Sequence, residues 1–216
     1  MAQYPETGPV DAPVHLILAH GAGAPMTTPF METFAGLLAE RRIAVTRFEF
    51  GYMAARRTGG KRPPPPKAEL LMPEYLAALE GLVPRMATEQ KLLIGGKSLG
   101  GRVASLVAGD LYRAGRIDGL ICLGYPFHPP DKPAELRTAH LTGLTCPTLI
   151  VQGERDPFGS RAEVEGFSLS PAIHLHWAAD GDHDLGPRGG RGRTRPGNLD
   201  AAADAVAAFA NAVGRR

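Results

Sequence analysis

An apolar run passes into Gly96-Lys97-Ser98-Leu99-Gly100 and then into a helix-forming stretch, Arg102 onward. Glycine two places either side of a serine, at a strand-to-helix turn, is the nucleophile-elbow pattern G-x-S-x-G. The serine takes a strained backbone conformation there, and larger neighbours would crowd the turn. With five serines and 27 glycines in 216 residues, roughly 0.08 accidental matches are expected before strand and helix context is required. A glycine-rich turn without chemistry is the bland alternative.

A serine hydroxyl is a weak nucleophile and needs a base held by an acid. Asp156 follows the apolar run Thr148–Gln152, where a loop carboxylate can orient an imidazole. His183 lies in Asp180-Gly-Asp-His-Asp-Leu185, beyond a weaker run and before the last helical stretch. The order Ser98, Asp156, His183 places nucleophile, acid and base as strand-end loops would present them. Glu154 is a rival acid with a less favourable direction, and Asp182 and Asp184 flank His183 too closely to orient its ring. His15, His128, His140, His174 and His176 lack a catalytic context; Asp156 as a helix cap and His183 as a surface histidine are the bland readings.

Developing negative charge on a carbonyl oxygen requires two backbone N–H groups. Leu99, following the serine, supplies one. The second is expected from the loop His20-Gly21-Ala22-Gly23-Ala24, with Ala22 the first choice and His20 holding the loop; His20 and Gly23 are also candidates to touch substrate. Arg56, Arg57, Lys61 and Arg62 follow the second apolar run and could hold an anionic substrate group, the alternative being a solvated basic loop.

The elements that position these residues alternate. Apolar runs at Val14–Ala19, Val45–Phe50, Lys91–Gly95, Gly119–Gly124 and Thr148–Gln152 read as buried strands, and Ile173–Trp177 as an edge strand. Between them Phe30, Phe34, Leu37 and Leu38 form one helical stripe, and Leu71, Tyr75, Leu79, Leu82 and Val83 the next. Val103, Leu106 and Val107 follow the serine; Ala202, Val206, Phe209 and Val213 end the chain behind an expected Asn198 cap. Alternation of strand and helix implies a mostly parallel α/β sheet covered on both faces, with chemistry at the carboxyl ends of the strands. Residues 1–216 are expected to form one domain, with loops at Gly59–Pro66 and Pro187–Gly197. Only Tyr125–Thr145 separates the fourth and fifth runs, too short for a substantial lid, so the site should be open.

Twenty-four basic and 22 acidic residues leave a net charge of +2, which gives no field for capturing nucleic acid or an anionic membrane. A nucleic-acid role would rest on Arg188, Arg191, Arg193 and Arg195 alone, without interleaved aromatics. No stretch reaches membrane-spanning length. Cys122 and Cys146 lack metal or redox spacing and read as buried free thiols; with Met1–Pro13 unlike a signal peptide, a cytoplasmic location is expected. No metal or cofactor is implied, and the sequence is silent on oligomeric state.

Four segments carry a family resemblance: Leu18-Ala-His-Gly-Ala-Gly-Ala-Pro-Met26, Phe48-Glu-Phe-Gly-Tyr-Met-Ala-Ala-Arg-Arg57, Gly95-Gly-Lys-Ser-Leu-Gly-Gly-Arg102 and Gly181-Asp-His-Asp-Leu185. Through them nearly the whole chain resembles the α/β-hydrolase superfamily, in particular the small dienelactone-hydrolase-like branch with a serine nucleophile. It is similar to bacterial relatives of a testis-expressed hydrolase-like protein and of a subunit of the non-specific lethal chromatin complex. The resemblance implies a reduced α/β-hydrolase fold of about six strands without a lid domain, a triad of Ser98, Asp156 and His183, and acyl transfer from a small ester or thioester to water. It implies no particular substrate. Gly51 stands where the pattern leads one to expect proline, and the 187–197 stretch is longer and richer in arginine than usual. Because some eukaryotic relatives serve as interaction subunits, a catalytically idle protein-interaction module on the same scaffold is the alternative.

Overall fold

The computed structural model describes residues 4–57, 64–83, 89–190 and 192–214. In chain order the elements are β1 (Glu6–Thr7), β2 (Val14–Ala19), α1 (Pro29–Glu40), β3 (Ile43–Phe48), α2 (Gly51–Arg57), α3 (Ala68–Leu82) and β4 (Lys91–Lys97). They continue with α4 (Leu99–Arg113), β5 (Gly119–Leu123), β6 (Thr148–Gly153), α5 (Arg161–Val164), β7 (Ile173–Ala178) and α6 (Arg195–Ala212). One seven-stranded sheet runs in the order β1-β3-β2-β4-β5-β6-β7. The six strands from β2 to β7 are parallel, and β1 pairs antiparallel with the edge of β3 through Glu6 and Thr7.

Strands buried on both faces read as unbroken apolar runs because each face meets a helical layer. Along β2, Val14, Leu16 and Leu18 join Met31, Phe34, Leu38 and the α6 residues Leu199, Ala202 and Val206 in one core layer. Ile17 and Ala19 face the other, with Leu71, Tyr75 and Leu79 of α3 and Val103 and Val107 of α4. The Tyr75 hydroxyl reaches through this layer to β4, accepting from Gly95 N at 2.9 Å and donating to Gly95 O at 2.8 Å. It thereby fixes the strand three residues before the serine turn.

Four sequence expectations change. The two-residue β1 was not foreseen, since so short a piece has no periodicity. Arg56 and Arg57, expected in a loop, belong to α2, whose first N–H, on Gly51, donates to Glu74 Oε2 at 2.6 Å. Proline at position 51 could not make that bond, which accounts for its absence there. The last helix starts at Arg195 behind a Thr194 cap, with proline in its first turn, so residues 195–197 are helical rather than loop. Asn198 is therefore no cap; its amide donates to Ala179 O (3.0 Å) and Leu185 O (2.7 Å) and ties α6 to the chain around His183.

Between β5 and β6 the chain runs through turns without a helix or strand, so no lid is inserted at that connection. Gly59–Pro63 of the expected proline-rich loop, including Lys61 and Arg62, lie outside the described residues, as do Arg191 and the side chain of Arg57. Cys122 and Cys146 are buried free thiols. Among the described residues no helix is long and apolar enough to cross a membrane.

Candidate active site

Ser98 occupies the sharp turn between β4 and α4 with φ 50° and ψ −114°, a region costly for any residue with a Cβ. The elbow survives because its surroundings over-determine it. Ser98 N donates to Leu123 O on β5 at 2.9 Å, and the turn is drawn tight enough that a Cβ on Gly96 would land on the Gly100 backbone. A Cβ on Gly100 would strike the carbonyls of Ala19 and His20. Both glycines are thus steric requirements.

His183 Nε2 lies 2.9 Å from Ser98 Oγ, and its Nδ1 lies 2.8 Å from Asp156 Oδ2. Asp156 is wholly buried. Its Oδ1 accepts from Phe158 N (2.9 Å) and its Oδ2 accepts a second bond from Gln152 Nε2 (2.9 Å). With an ionised carboxylate as acceptor, Nδ1 must carry the imidazole proton, which leaves the Nε2 lone pair facing the serine hydroxyl. The Phe158 ring sits 4.4 Å from the His183 ring, centroid to centroid, and lines the same cleft.

Gln152 went unrecognised in the sequence, where it reads as the polar end of an apolar strand. In the structure it is buried and fully employed. Its Oε1 accepts from Tyr125 N (2.7 Å), while the two hydrogens of Nε2 are shared among Tyr125 O, Gly159 O and Asp156 Oδ2. It fastens the turn after β5 to the loop that presents the acid.

Gly21, Ala22, Gly23 and Ala24 line a cleft of ≈ 440 Å³ together with Ser98, His183, Thr28, Phe30, Phe158, Lys97, Asp184 and Arg195. Leu99 opens α4 directly after the serine, so its N–H belongs to the unpaired first turn of that helix. On the facing loop, the Gly21 and Ala22 carbonyls accept from the Tyr52 hydroxyl at 3.4 and 3.1 Å. His20 stands behind this loop, wholly buried. Its Nδ1 donates to Gly21 O (2.6 Å) and its Nε2 accepts from Phe50 N (3.1 Å). Burial pulls its pKa down to about 4. Both ring nitrogens being spent on backbone, His20 holds the loop and has none to offer a substrate.

Arg56 does not line the cleft; its guanidinium lies 5.2 Å from the centre of the Tyr52 ring, behind the Gly21–Ala22 carbonyls that the Tyr52 hydroxyl holds. A different cation borders the serine: Lys97, the first x of the motif, whose side chain is only 9% exposed. A lysine inside an otherwise apolar, two-side-buried strand was the signal that could have marked it. Asp184 pairs with it at 3.3 Å, while Asp182 Oδ1 accepts from Asp184 N and Gly186 N and shapes the turn bearing His183. Glu154 accepts from Asp180 N and pairs with Arg161, turned away from the imidazole. Of the arginines in the 188–195 stretch, Arg188 is paired with Asp180 at 2.8 Å and Arg195 approaches Asp182 at 3.9 Å. Among the described residues no cluster of histidine, cysteine and carboxylate side chains is arranged to hold a metal.

Comparison with known proteins agrees with this architecture. Residues 12–211 match the model of a family described as alpha/beta hydrolase domain. Similar solved structures include a dienelactone hydrolase from Anabaena variabilis, with a TM-score of 0.70 at 21% identity over 97% of this chain and 91% of that one. An alpha-beta serine hydrolase homologue from Coxiella burnetii superposes with a TM-score of 0.70 at 19% identity, over 96% and 89% of the two chains. A serine hydrolase without a lid from Xanthomonas campestris does so with a TM-score of 0.65 at 18% identity, over 97% and 94%.

Proposed function

The chain belongs to the alpha/beta hydrolase domain family, and from that premise we propose that it hydrolyses a small carboxylic ester or thioester by acyl transfer through Ser98. One observation carries the reading: the unbroken hydrogen-bond chain from Ser98 Oγ through His183 to the buried Asp156 carboxylate. His183 Nε2 takes the hydroxyl proton as Oγ attacks the carbonyl carbon, and Asp156 stabilises the resulting imidazolium. The N–H groups of Leu99 and Ala22 are the proposed donors to the oxyanion. Collapse of the tetrahedral adduct breaks the ester C–O bond, or the thioester C–S bond. His183 returns its proton to the leaving alkoxide or thiolate, and an acyl-serine remains. Water, deprotonated by the same nitrogen, then releases the acid and restores the serine.

The cleft beside Ser98 and the absence of an element between β5 and β6 favour small or externally presented esters over buried lipid. Dienelactone hydrolase among the similar structures, with the four resembling segments, supports placing the chain in the small serine branch near the bacterial relatives of the testis-expressed and chromatin-complex proteins. Residues 1–216 are taken as one hydrolase domain, since both core layers share a single sheet. Two buried free thiols suit a reducing cytoplasm.

A fluorophosphonate probe tests the nucleophile without knowledge of the substrate. The parent protein should be labelled at Ser98 and hydrolyse 4-nitrophenyl acetate, and Ser98→Ala should lose both. Labelling that persists undiminished in Ser98→Ala removes the serine from the mechanism.

A further inference from the structure

Lys97 is not used by the acyl-transfer chemistry, yet it is one of the most enclosed polar groups bordering the cleft. Its side chain is 9% exposed, while the residue lines the same cavity as Ser98 and His183. Nζ has three N–H directions when protonated. One goes to Asp184 Oδ1 at 3.3 Å, and the Phe30 ring stands 5.5 Å from Nζ. Asp184 is itself 53% exposed, on the solvent side of the pair. Arg195, at the rim of the same cleft, is held only at 3.9 Å by Asp182.

A lysine in this setting is expensive to maintain. Burial pulls its pKa below the usual lysine value, and Asp184, Asp156 and Asp182 work in the opposite direction. A cation kept beside a nucleophile with a half-exposed carboxylate as its partner is suited to exchange that partner for another anion. Asp184 can swing to water at small cost because it is already half hydrated. An arriving carboxylate would then gain a charge-assisted bond in a site walled by Phe30, where such bonds are stronger than in water.

The geometry points to Lys97 as a specificity-determining residue that selects esters carrying an anionic group, a carboxylate above all, with Asp184 as the built-in competitor for its ammonium. This rests on the assignment of Ser98 as the nucleophile. It also separates the two aspartates next to His183: Asp182 shapes the turn, whereas Asp184 occupies the anion site until substrate arrives.

The test compares kcat/KM for matched ester pairs. On the acyl side the pair is 4-nitrophenyl hydrogen adipate against its neutral methyl ester; on the alcohol side it is 4-carboxyphenyl pentanoate against 4-carbomethoxyphenyl pentanoate. The parent should prefer the anionic member at least tenfold in one arm, and that arm identifies which side of the ester carries the charge. Lys97→Met should bring the ratio to one or below, because Asp184 then repels the anion unopposed. Asp184→Asn should raise the ratio several-fold by freeing the ammonium, and it serves alone if Lys97→Met fails to fold. Ratios near one in both arms of the parent, a preference that survives Lys97→Met, or one that fails to rise in Asp184→Asn would each overturn the inference. Fluorophosphonate labelling of the parent separates the two levels: a labelled protein indifferent to charge loses only the Lys97 role, whereas one that neither labels nor turns over any ester loses the Ser98 reading as well.

Discussion

Replacing Asp156 by asparagine tests whether the acid is held by its surroundings or merely placed near the imidazole. Asparagine offers one oxygen and one NH₂ where the carboxylate has two acceptors. If the NH₂ takes the Oδ2 position it faces two donors, Gln152 Nε2 and His183 Nδ1; at the Oδ1 position it faces one, Phe158 N. Two lost acceptor contacts cost more than one, so the amide oxygen stays toward His183 and the imidazole keeps its working tautomer. What disappears is the negative charge beside the imidazolium. At a separation of about 4 Å and an effective dielectric of about 20, that is about 4 kcal/mol, a rate loss of about a thousandfold. Asp156→Ala loses the charge and also strands all three donors in a buried site, so its loss should exceed that of asparagine by at least about tenfold. Rates of fluorophosphonate labelling and of 4-nitrophenyl acetate turnover, measured across the two variants, give the comparison. An asparagine variant as inactive as the alanine variant would mean that the Gln152 bracket does not set the tautomer, and the reasoning fails.

Gln152→Leu keeps the volume but leaves Tyr125 N and Gly159 O unmatched in the interior and removes one bond each from Tyr125 O and Asp156. The expected cost is about 4 kcal/mol, a fall of about 10 °C in Tm for a chain of this size, measured by calorimetry alongside slower labelling; an unchanged Tm would deny it a structural role. His20 should make stability depend on acid. Its pKa is about 4 folded against 6.5 in the free side chain, so between those values the unfolded chain binds the extra proton. Stability is then complete above pH 6.5 and declines as the pH falls toward 4, by about 3 kcal/mol for this residue. His140, lowered to about 4 by burial, adds in the same direction. Urea unfolding at pH 7.5 and 4.5 reads the difference, and equal midpoints would contradict it.

The parts legible in the sequence are those whose cause is local or repetitive. β2, β4, β5 and β6 are predominantly apolar because they are covered on both faces, and the elbow announces itself through glycines required within five residues. Ser98, Asp156 and His183 could be named from their positions after strand ends, and the structure brings their polar atoms within 2.9 Å. What escaped depends on partners distant in the chain. α2 has no long apolar stripe and begins on a bond from Gly51 to Glu74. Gln152 acts on Tyr125, 27 residues earlier. Lys97 looks like a free choice within G-x-S-x-G until Asp184 and Phe30 are placed beside it. Asn198 has the residue type of a cap, but proline in the preceding turn starts the helix first, releasing its amide for another purpose.

That purpose joins parts of the site that lie far apart in the chain. The Ser98 turn is held by Leu123 O on β5 and by the close approach of Gly100 to the end of β2. The carbonyls of Ala179 and Leu185, on either side of the base, find their common anchor in the Asn198 amide of α6. Nucleophile and base are thus steadied by different elements, and a disturbance of α6 reaches the imidazole before it reaches the serine.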